Sequence, residues 1–494
     1  MRGKEVAMKV LFVYPEIQSS VTNTATYSLP LGLGAVATYC KKIFGDEMEI
    51  KILDGSMMTH TEQVAELEKF QPDFIGLSPT IASMGNAYLL ASRAKELGAV
   101  VMFGGVNSTN LWRQMLKNRP FIDAIVLYEG EEAMAEILRR WRSGKKGDKM
   151  FRDTPNAAYR INRGEVIGPK KIRVFSLEEL PDIDYSLFDL PKFFIQTEER
   201  GFGRVVSYYG GKGCFKRSRL SLQNEYIAME YDQIVRQMKT CTFCGRNELG
   251  FRCLSPEREC TVLHHLHDDY GARGFFNVQD TVNLHVDVPV GLDDSWFRLF
   301  IGAENITPKN IRRLQHRYGP HLIFQAGIET ATPEMRRALG KTPITSQEIF
   351  AKVKLMEQKG IQLHASFIFG GRGETVSSLK ATAKMAKQLA DYPNVTWILI
   401  SPQLILPGSP DYRSLLTMPG MDKKWGKEDL INLVKINRDF LRFFTPELTR
   451  KKILEEIKSV FAEIKKTGNR AVLDVKGVVP HEEEEIQPRR EYCG

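Results

Sequence analysis

The sequence predicts an α/β protein with a doubly wound parallel sheet at the front, a partial or full β/α barrel behind it and a helical region at the end. Three observations predict this. Over residues 1–142, short apolar runs alternate with helical patterns at roughly 25-residue intervals, the signature of a parallel sheet covered by helices. The alternation lapses over 143–202 and resumes over 203–412 with at least five further strand–helix units, as in a β/α barrel. From 413 to 494 the pattern is helical and closes in a charged tail. A chain of 494 residues, 43% of them hydrophobic, suits several cores rather than one.

In the front unit the expected strands are VLFVYP (10–15), MEIKILD (48–54), FIGLS (74–78), AVVMFGG (99–105) and AIVLYEGE (124–131). Between them lie helical patterns over 30–43, 64–70 and 88–97, and EAMAEILRRW follows the last strand. Ligands of such sheets sit at the carboxyl ends of the strands. Residues 143–202 read as a linker. Its polar break SGKKGDK is followed by a hairpin, AAYRINRGEVIG, with Asn-Arg-Gly at the turn. The barrel strands are RVVSYY, GFFNV, WFRLFIGA, LIFQAGIE, QLHASFIFG and TWILISPQL. Its helices include YDQIVRQM, CTVLHHLHDDYG, PKNIRRLQHRYG, EIFAKVKLMEQKG and VSSLKATAKMAKQL.

Composition excludes some classes. No apolar run reaches the ~18–20 residues of a membrane span. The opening MRGKEVAMKVLFVYP has no small-residue cleavage site, so neither a signal peptide nor a membrane partner is expected, and a cytoplasmic location is. The net charge of +9 is not gathered into a basic block, and the one strong charge run, Glu482 to Glu485, is acidic. A nucleic-acid or nucleotide-derived partner therefore stays open.

Five of the seven cysteines fall between 214 and 260. An odd count in a reducing compartment argues against a disulfide framework, and the clustering argues for metal. Cys40, in an apolar helix, and Cys493, in the tail, read as small hydrophobes. Cys241-Thr-Phe-Cys244 is the sharpest local signal, but by itself a CxxC fits zinc, iron–sulfur and redox chemistry alike. His264, His265 and His267 read as helix residues, because 265 does not share a face with the other two.

Context adds a resemblance. Gly213-Cys214 follows the first barrel strand, and the CxxC comes next with aromatic Phe243 before its last cysteine. A Ser-Pro-Glu turn opens a helix at 255–257. Gly327-Ile-Glu329-Thr, Phe369-Gly370-Gly371-Arg-Gly-Glu374-Thr and Pro407-Gly-Ser-Pro-Asp-Tyr412 follow in order. This series resembles the radical S-adenosylmethionine (SAM) superfamily, and the front unit resembles the cobalamin-binding domain that precedes the barrel in one large branch of it.

The resemblance implies a 4Fe–4S cluster on Cys214, Cys241 and Cys244, whose fourth iron is chelated by the amine and carboxylate of SAM and whose electron cleaves SAM to a radical that takes hydrogen from substrate. It implies an electron donor such as flavodoxin or ferredoxin. Phe243, Asp280, Glu329, Gly370, Gly371 and Glu374 are then expected around SAM or substrate. Ser78, Thr80, Gly104, Gly105, Tyr128 and Glu129 occupy the positions that surround a corrin. Glu374 is equally suited to be a helix N-terminal acid. Two departures stand out. The first cysteine spacing is C-x26-C, as if 23 residues were inserted after Arg217, similar in kind to the queuine lyases. The cobalt-ligating D-x-H-x-x-G is absent, because Asp54-Gly-Ser-Met-Met carries no His.

The readings that follow are a lyase, a cobalamin-dependent methyltransferase or a queuine lyase-type release of a modified base, acting on a small molecule. Two others stay open. One is a zinc-bound RNA-interaction protein on Cys241, Cys244, Cys253 and Cys260, and the other is a cobalamin carrier without turnover.

Overall fold

The computed structural model describes residues 7–17, 28–161, 164–215, 226–227, 240–246 and 248–466. Almost all of the inserted segment 218–240, with the helix expected at 231–238, lies outside these residues, as does Cys493.

The front sheet is built from β1 (Met8–Tyr14), β2 (Met48–Asp54), β3 (Phe74–Leu77), β4 (Val100–Phe103), β5 (Ala124–Val126), β6 (Ala157–Arg160) and β7 (Val166–Ile167). Its order is β2-β1-β3-β4-β5-β6-β7. The first five strands run parallel, and β6 and β7 close the edge antiparallel. The hairpin expected in the linker therefore extends this sheet. Helices cover both faces, so a strand such as Phe74–Leu77 is apolar and buried along its whole length. The strand order reverses at β1 and β3, and a crevice opens at their carboxyl ends.

A short β8 (Ile172–Arg173) and a helix over Leu190–Glu199 lead to the second sheet. Asp189 accepts from the Lys192 amide as N-cap of that helix, with proline in its first turn. The barrel strands are β9 (Val205–Tyr208), β13 (Gly274–Asn277), β14 (Trp296–Ile301), β15 (Leu322–Glu329), β16 (Gln362–Phe369) and β17 (Val395–Pro402), all parallel and neighbours in sequence order. This is the partial form of the expected barrel, with all six expected strands in it.

Between β9 and β13 the chain makes β10 (Gly211–Gly213), β11 (Tyr226–Ile227) and β12 (Phe251–Cys253). Strand β10 pairs antiparallel with β12, placing Gly211 opposite Cys253 and Gly213 opposite Phe251. Cys214 thus follows a second short strand rather than β9 itself. The ladder pins together the two ends of the whole excursion from Cys214 to Gly250. At its foot Gly213 has φ +86°, and a Cβ there would lie 2.0 Å from the Gly250 carbonyl oxygen.

The last helices do not form a separate body. Ile405, Tyr412, Leu415, Trp425, Ile436 and Phe440 belong to one hydrophobic cluster with Leu11, Ile75, Phe103 and Trp112 of the front unit. Tyr88 donates to Asp429 at 2.6 Å, and Arg119 pairs with the same carboxylate. Among the described residues no helix is long and apolar enough to cross a membrane.

Candidate active site

A cavity of about 850 Å³ lies between the carboxyl edge of the front sheet and the mouth of the barrel. Nine of the residues singled out in the sequence line it. Ser78, Thr80, Gly104, Gly105, Tyr128 and Glu129 come from the front unit, and Phe243, Cys244 and Asp280 from the barrel. Gly105 has φ +82°, and a Cβ there would meet Ser78 Oγ at 2.6 Å. The adjacent Gly104 has only the Val126 carbonyl oxygen near a Cβ, at 3.7 Å. Asn107 also lines the cavity, and its buried Nδ2 has no hydrogen-bond partner in the structure. An unsatisfied buried amide facing a cavity favours a polar ligand there.

Glu129 does more than line the wall. Its Oε2 accepts from the Phe175 amide at 2.9 Å, and its Oε1 pairs with Arg252 of β12. Lys212 of β10 lies 3.3 Å from Glu131 and 3.9 Å from Glu129. Burial alone would raise the Glu129 carboxyl, but Lys212 and Arg252 outweigh it and hold it below its ordinary value. The ladder that closes the cysteine excursion is thereby ion-paired to the front sheet.

The cysteines occupy three places around the barrel mouth. Cys214 Sγ accepts from Thr281 Oγ1 at 3.4 Å. Cys241 Sγ lies 3.8 Å from the Gly340 carbonyl, and the Cys244 amide donates to the Cys241 carbonyl at 3.0 Å. Arg246, two residues past Cys244, pairs with Asp280 at 3.0 Å, and Asp280 precedes Thr281. The CxxC loop is thus fastened to the strand end that holds Cys214. Gly245 sits under Leu406 and Pro407, and Asn110 of the front unit donates to its carbonyl at 3.0 Å.

Among the described residues no three His, Cys, Asp or Glu side chains converge on a single-ion site. The four-cysteine zinc site is therefore not formed. Cys253 accepts from Gln279 at 3.1 Å, while Cys260 is inside the helix over Pro256–Asp268 and points to the Pro289 carbonyl. Burial pushes both thiols up, away from the thiolate a metal needs. A 4Fe–4S cluster makes a different demand, because each thiolate binds its own iron. Cys214, Cys241 and Cys244 are half-buried and none is in a disulfide, which fits that donor set.

Glu329 lies behind the CxxC loop. Its φ is +64°, and together with Tyr128 at +62° it is among five described non-glycine residues in the left-handed region. Strain of this kind gathers at functional sites. Lys341 Nζ is 2.9 Å from Glu329 Oε1 and 5.6 Å from the centre of the Phe243 ring. Burial would lower the Lys341 ammonium, but Glu329 and Cys241 reverse this and hold it charged. A Cβ on Gly327 would lie 2.1 Å from Glu329 Oε1 and 2.9 Å from Lys341 Nζ, so a side chain there would displace this ion pair.

Gly370, Gly371 and Glu374 are not cavity-lining residues. The Gly370 amide donates to Glu374, Thr445 donates to the Gly371 carbonyl at 3.0 Å, and a Cβ on Gly370 would meet Ile453 at 2.6 Å. Burial raises the Glu374 carboxyl to about 7 against the pull of the two glycine amides. Asp54, where the absent cobalt-binding motif would begin, turns back on the Ser56 amide at 2.9 Å. No described histidine lines the cavity.

Sequence reasoning missed Lys341, Arg246, Lys212 and Arg252, and also Arg298 with Gln325 on the cavity's barrel side. Each is a lone polar residue whose partner comes from a distant element. The only local hint was an arginine or lysine inside an apolar strand pattern, as in Trp-Phe-Arg298-Leu-Phe.

A parallel front sheet, a partial barrel and a cysteine loop opening on a cavity between them define the fold of the cobalamin-dependent radical SAM enzymes, and the comparisons agree. Residues 19–138 match the B12 binding domain family. The chain is 27% identical to an uncharacterized methyltransferase of Pyrococcus horikoshii over 79% of this chain and 80% of that one. It superposes on the radical SAM methyltransferase TsrM of Kitasatospora setae with a TM-score of 0.62, 16% identity and coverage of 84% and 80%. With the cobalamin-dependent radical SAM enzyme OxsB the TM-score is 0.57 at 18% identity, covering 85% of this chain but 56% of OxsB. The resemblance read from the motifs is borne out at the level of fold.

Proposed function

We propose that this chain is a cobalamin-dependent radical SAM methyltransferase acting on a small molecule, with its cluster on Cys214, Cys241 and Cys244. The observation that carries this reading is the shared cavity. Gly104, Gly105 and Ser78 form one wall and Phe243 and Cys244 another, so a corrin on the front sheet and SAM at the cluster would open on one chamber. That arrangement favours methylation over a lyase that uses SAM alone, and nothing specific supports queuine lyase-type base release. The proteins similar to this one in sequence and fold include two named methyltransferases, and TsrM has been solved with tryptophan, a small-molecule substrate.

When bound, the cluster would supply the electron that cleaves SAM, and the corrin would carry the methyl group. The chain's own part is to hold and exclude. The ladder of β10 with β12 keeps the cysteine excursion closed at its base. Lys341 sets its charge beside Cys241 and fixes Glu329. The glycines at 104 and 105 let the sheet edge meet a flat ligand closely. Asn107 offers an amide to its polar margin. No described histidine faces the cavity, so the strand-end glycines and the polar groups of Ser78 and Asn107 are the residues that would hold a corrin there.

Anaerobic reconstitution with iron, sulfide and hydroxocobalamin tests the reading. About four irons per chain, a retained corrin and SAM consumption that depends on both are the expected result. A protein that takes up iron but releases hydroxocobalamin on dialysis would make the front unit a scaffold and overturn the methyltransferase assignment.

A further inference from the structure

Where the barrel lumen opens into the cavity, one side-chain amide is held with its donor end forward. Along β15, β16 and β17 the helix-facing Phe324, Ala365, Phe367 and Ile398 are buried, while the alternating Gln325, His364, Ser366 and Leu399 are only partly so. This follows from the two-residue period of a strand. It sets Gln325 in the lumen beside Phe300, its register partner on β14. Both line the cavity, as do Phe276 and Leu399.

A carboxamide has an acceptor end and a donor end, and what holds one decides which faces a ligand. Here Arg298 decides it. Its Nε and Nη2 both donate to Gln325 Oε1, at 2.9 and 2.5 Å. The flipped amide is excluded, because it would set its own N–H groups against those of the guanidinium. Arg298 is fixed in turn, buried with its guanidinium 4.3 Å from the centre of the Phe276 ring. Gln325 Nε2 is therefore turned away from Arg298, and among the described residues it has no partner. His364, the register partner of Gln325 on β16, adds no further charge, because burial and then Arg298 lower its imidazole to about 3. An amide N–H is a neutral donor, so it asks a ligand for an acceptor atom rather than for an ion. Left unpaired in a closed cavity, it is costly.

Resting on the reading of the cavity as the reaction chamber, we propose that Gln325 determines specificity, its Nε2 donating to a carbonyl-type oxygen of a substrate whose apolar body lies against Phe300 and Leu399. Arg298 acts through Gln325, as the positioning residue that keeps the donor end forward. A molecule of the same outline without the acceptor leaves the amide unpaired and is rejected. Gln325 precedes Glu329 on β15 by four positions, about 13 Å at about 3.3 Å per residue. The contact therefore holds the end of the substrate that lies deep in the lumen and leaves the other end toward the CxxC loop.

The test measures binding of acetophenone and α-methylstyrene to the reconstituted enzyme by equilibrium dialysis. The second probe has the outline of the first with a methylene in place of the carbonyl oxygen. Because the two differ in hydration, the quantity read is the ratio of their affinities in the wild type against the same ratio in a variant. Gln325→Glu keeps an oxygen for Arg298 and removes the donor, and Gln325→Leu removes both. In each, the ratio should shift about tenfold toward α-methylstyrene, as the loss of one hydrogen bond implies. A ratio that stays unshifted in either variant, or a wild-type enzyme that binds neither probe, would overturn the proposal. So would a tenfold loss of SAM affinity in Gln325→Glu with the probe ratio intact, which would assign the amide to the cofactor. Iron and corrin contents of the same wild-type samples judge the cofactor reading separately, whatever the probe ratio proves to be.

Discussion

Arg246 and Asp280 are joined by a 3.0 Å ion pair between the residue two past Cys244 and the residue just before Thr281, which donates to Cys214. Through it the two separated parts of the cysteine motif meet. Arg246 is half exposed, so the pair contributes only about 0–1 kcal/mol to stability. Its effect is on position. Asp280→Asn should leave the denaturation midpoint nearly unchanged and increase the rate of iron loss during anaerobic gel filtration. Unchanged iron retention would mean the loop is held by its other contacts.

Alanine at Cys214, Cys241 or Cys244 should each abolish stable cluster binding and SAM cleavage. Alanine at Cys253 or Cys260 should leave iron content near normal, since both thiols are occupied elsewhere and raised by burial. Iron and sulfide assays of the five variants decide this. A cluster lost from Cys253→Ala but kept in Cys214→Ala would reassign the third ligand.

The paired glycines at the front-sheet edge should behave differently. Gly105→Ala forces a left-handed residue to carry a Cβ against Ser78, at a cost of about 1 kcal/mol or more, and should weaken hydroxocobalamin binding severalfold. Gly104→Ala has space and should bind nearly as the wild type does, whereas a bulky residue such as Gly104→Trp would fill the cavity and abolish binding. Equilibrium dialysis of the three variants ranks them.

Lys341→Met leaves the Glu329 carboxylate buried without its cation. Breaking a buried pair from one side costs about 3–5 kcal/mol, so a marked drop in melting temperature is expected, with weakened SAM binding. The double variant Lys341→Met/Glu329→Gln should recover much of the stability but not the SAM affinity. Full recovery of both would show that the pair serves packing alone.

Glu374 should make stability depend on pH. Its folded carboxyl titrates near 7 against an ordinary 4.5, so between those values the folded chain holds a proton that the unfolded chain has released. Its contribution is complete below about 4.5 and is lost as pH rises to about 7, with a limiting slope of about 1.4 kcal/mol per pH unit. Glu374→Gln should remove this slope. Urea midpoints for both proteins across the window measure it, and parallel curves would refute the assignment.

The barrel strands were legible because each is a short, mostly apolar stretch bounded by turn signals and followed by a helical pattern. The CxxC and the strand-end glycines were legible because their spacing is local. What the sequence withheld depends on register and docking. Nothing near Arg298 announces Gln325, which is brought beside it by the parallel pairing of β14 with β15. Nothing near Gly340 announces Cys241, whose loop packs on it from about a hundred residues away. The helix over Leu190–Glu199 could have been read from Asp189-Leu-Pro, an N-cap followed by a first-turn proline. Amphipathic patterns such as 433–444 declare an apolar face without saying which core receives it.

That last face has a consequence for how the protein is made. The front sheet leaves the ribosome early, yet Trp425, Ile436 and Phe440, which complete its hydrophobic cluster, are synthesised roughly 300 residues later. At about 5–20 residues per second the nascent front unit waits on the order of 15–60 s with an apolar flank uncovered. Its final consolidation therefore waits for the helices that carry Trp425, Ile436 and Phe440, and a ribosome stalled within the barrel would present that flank to chaperones.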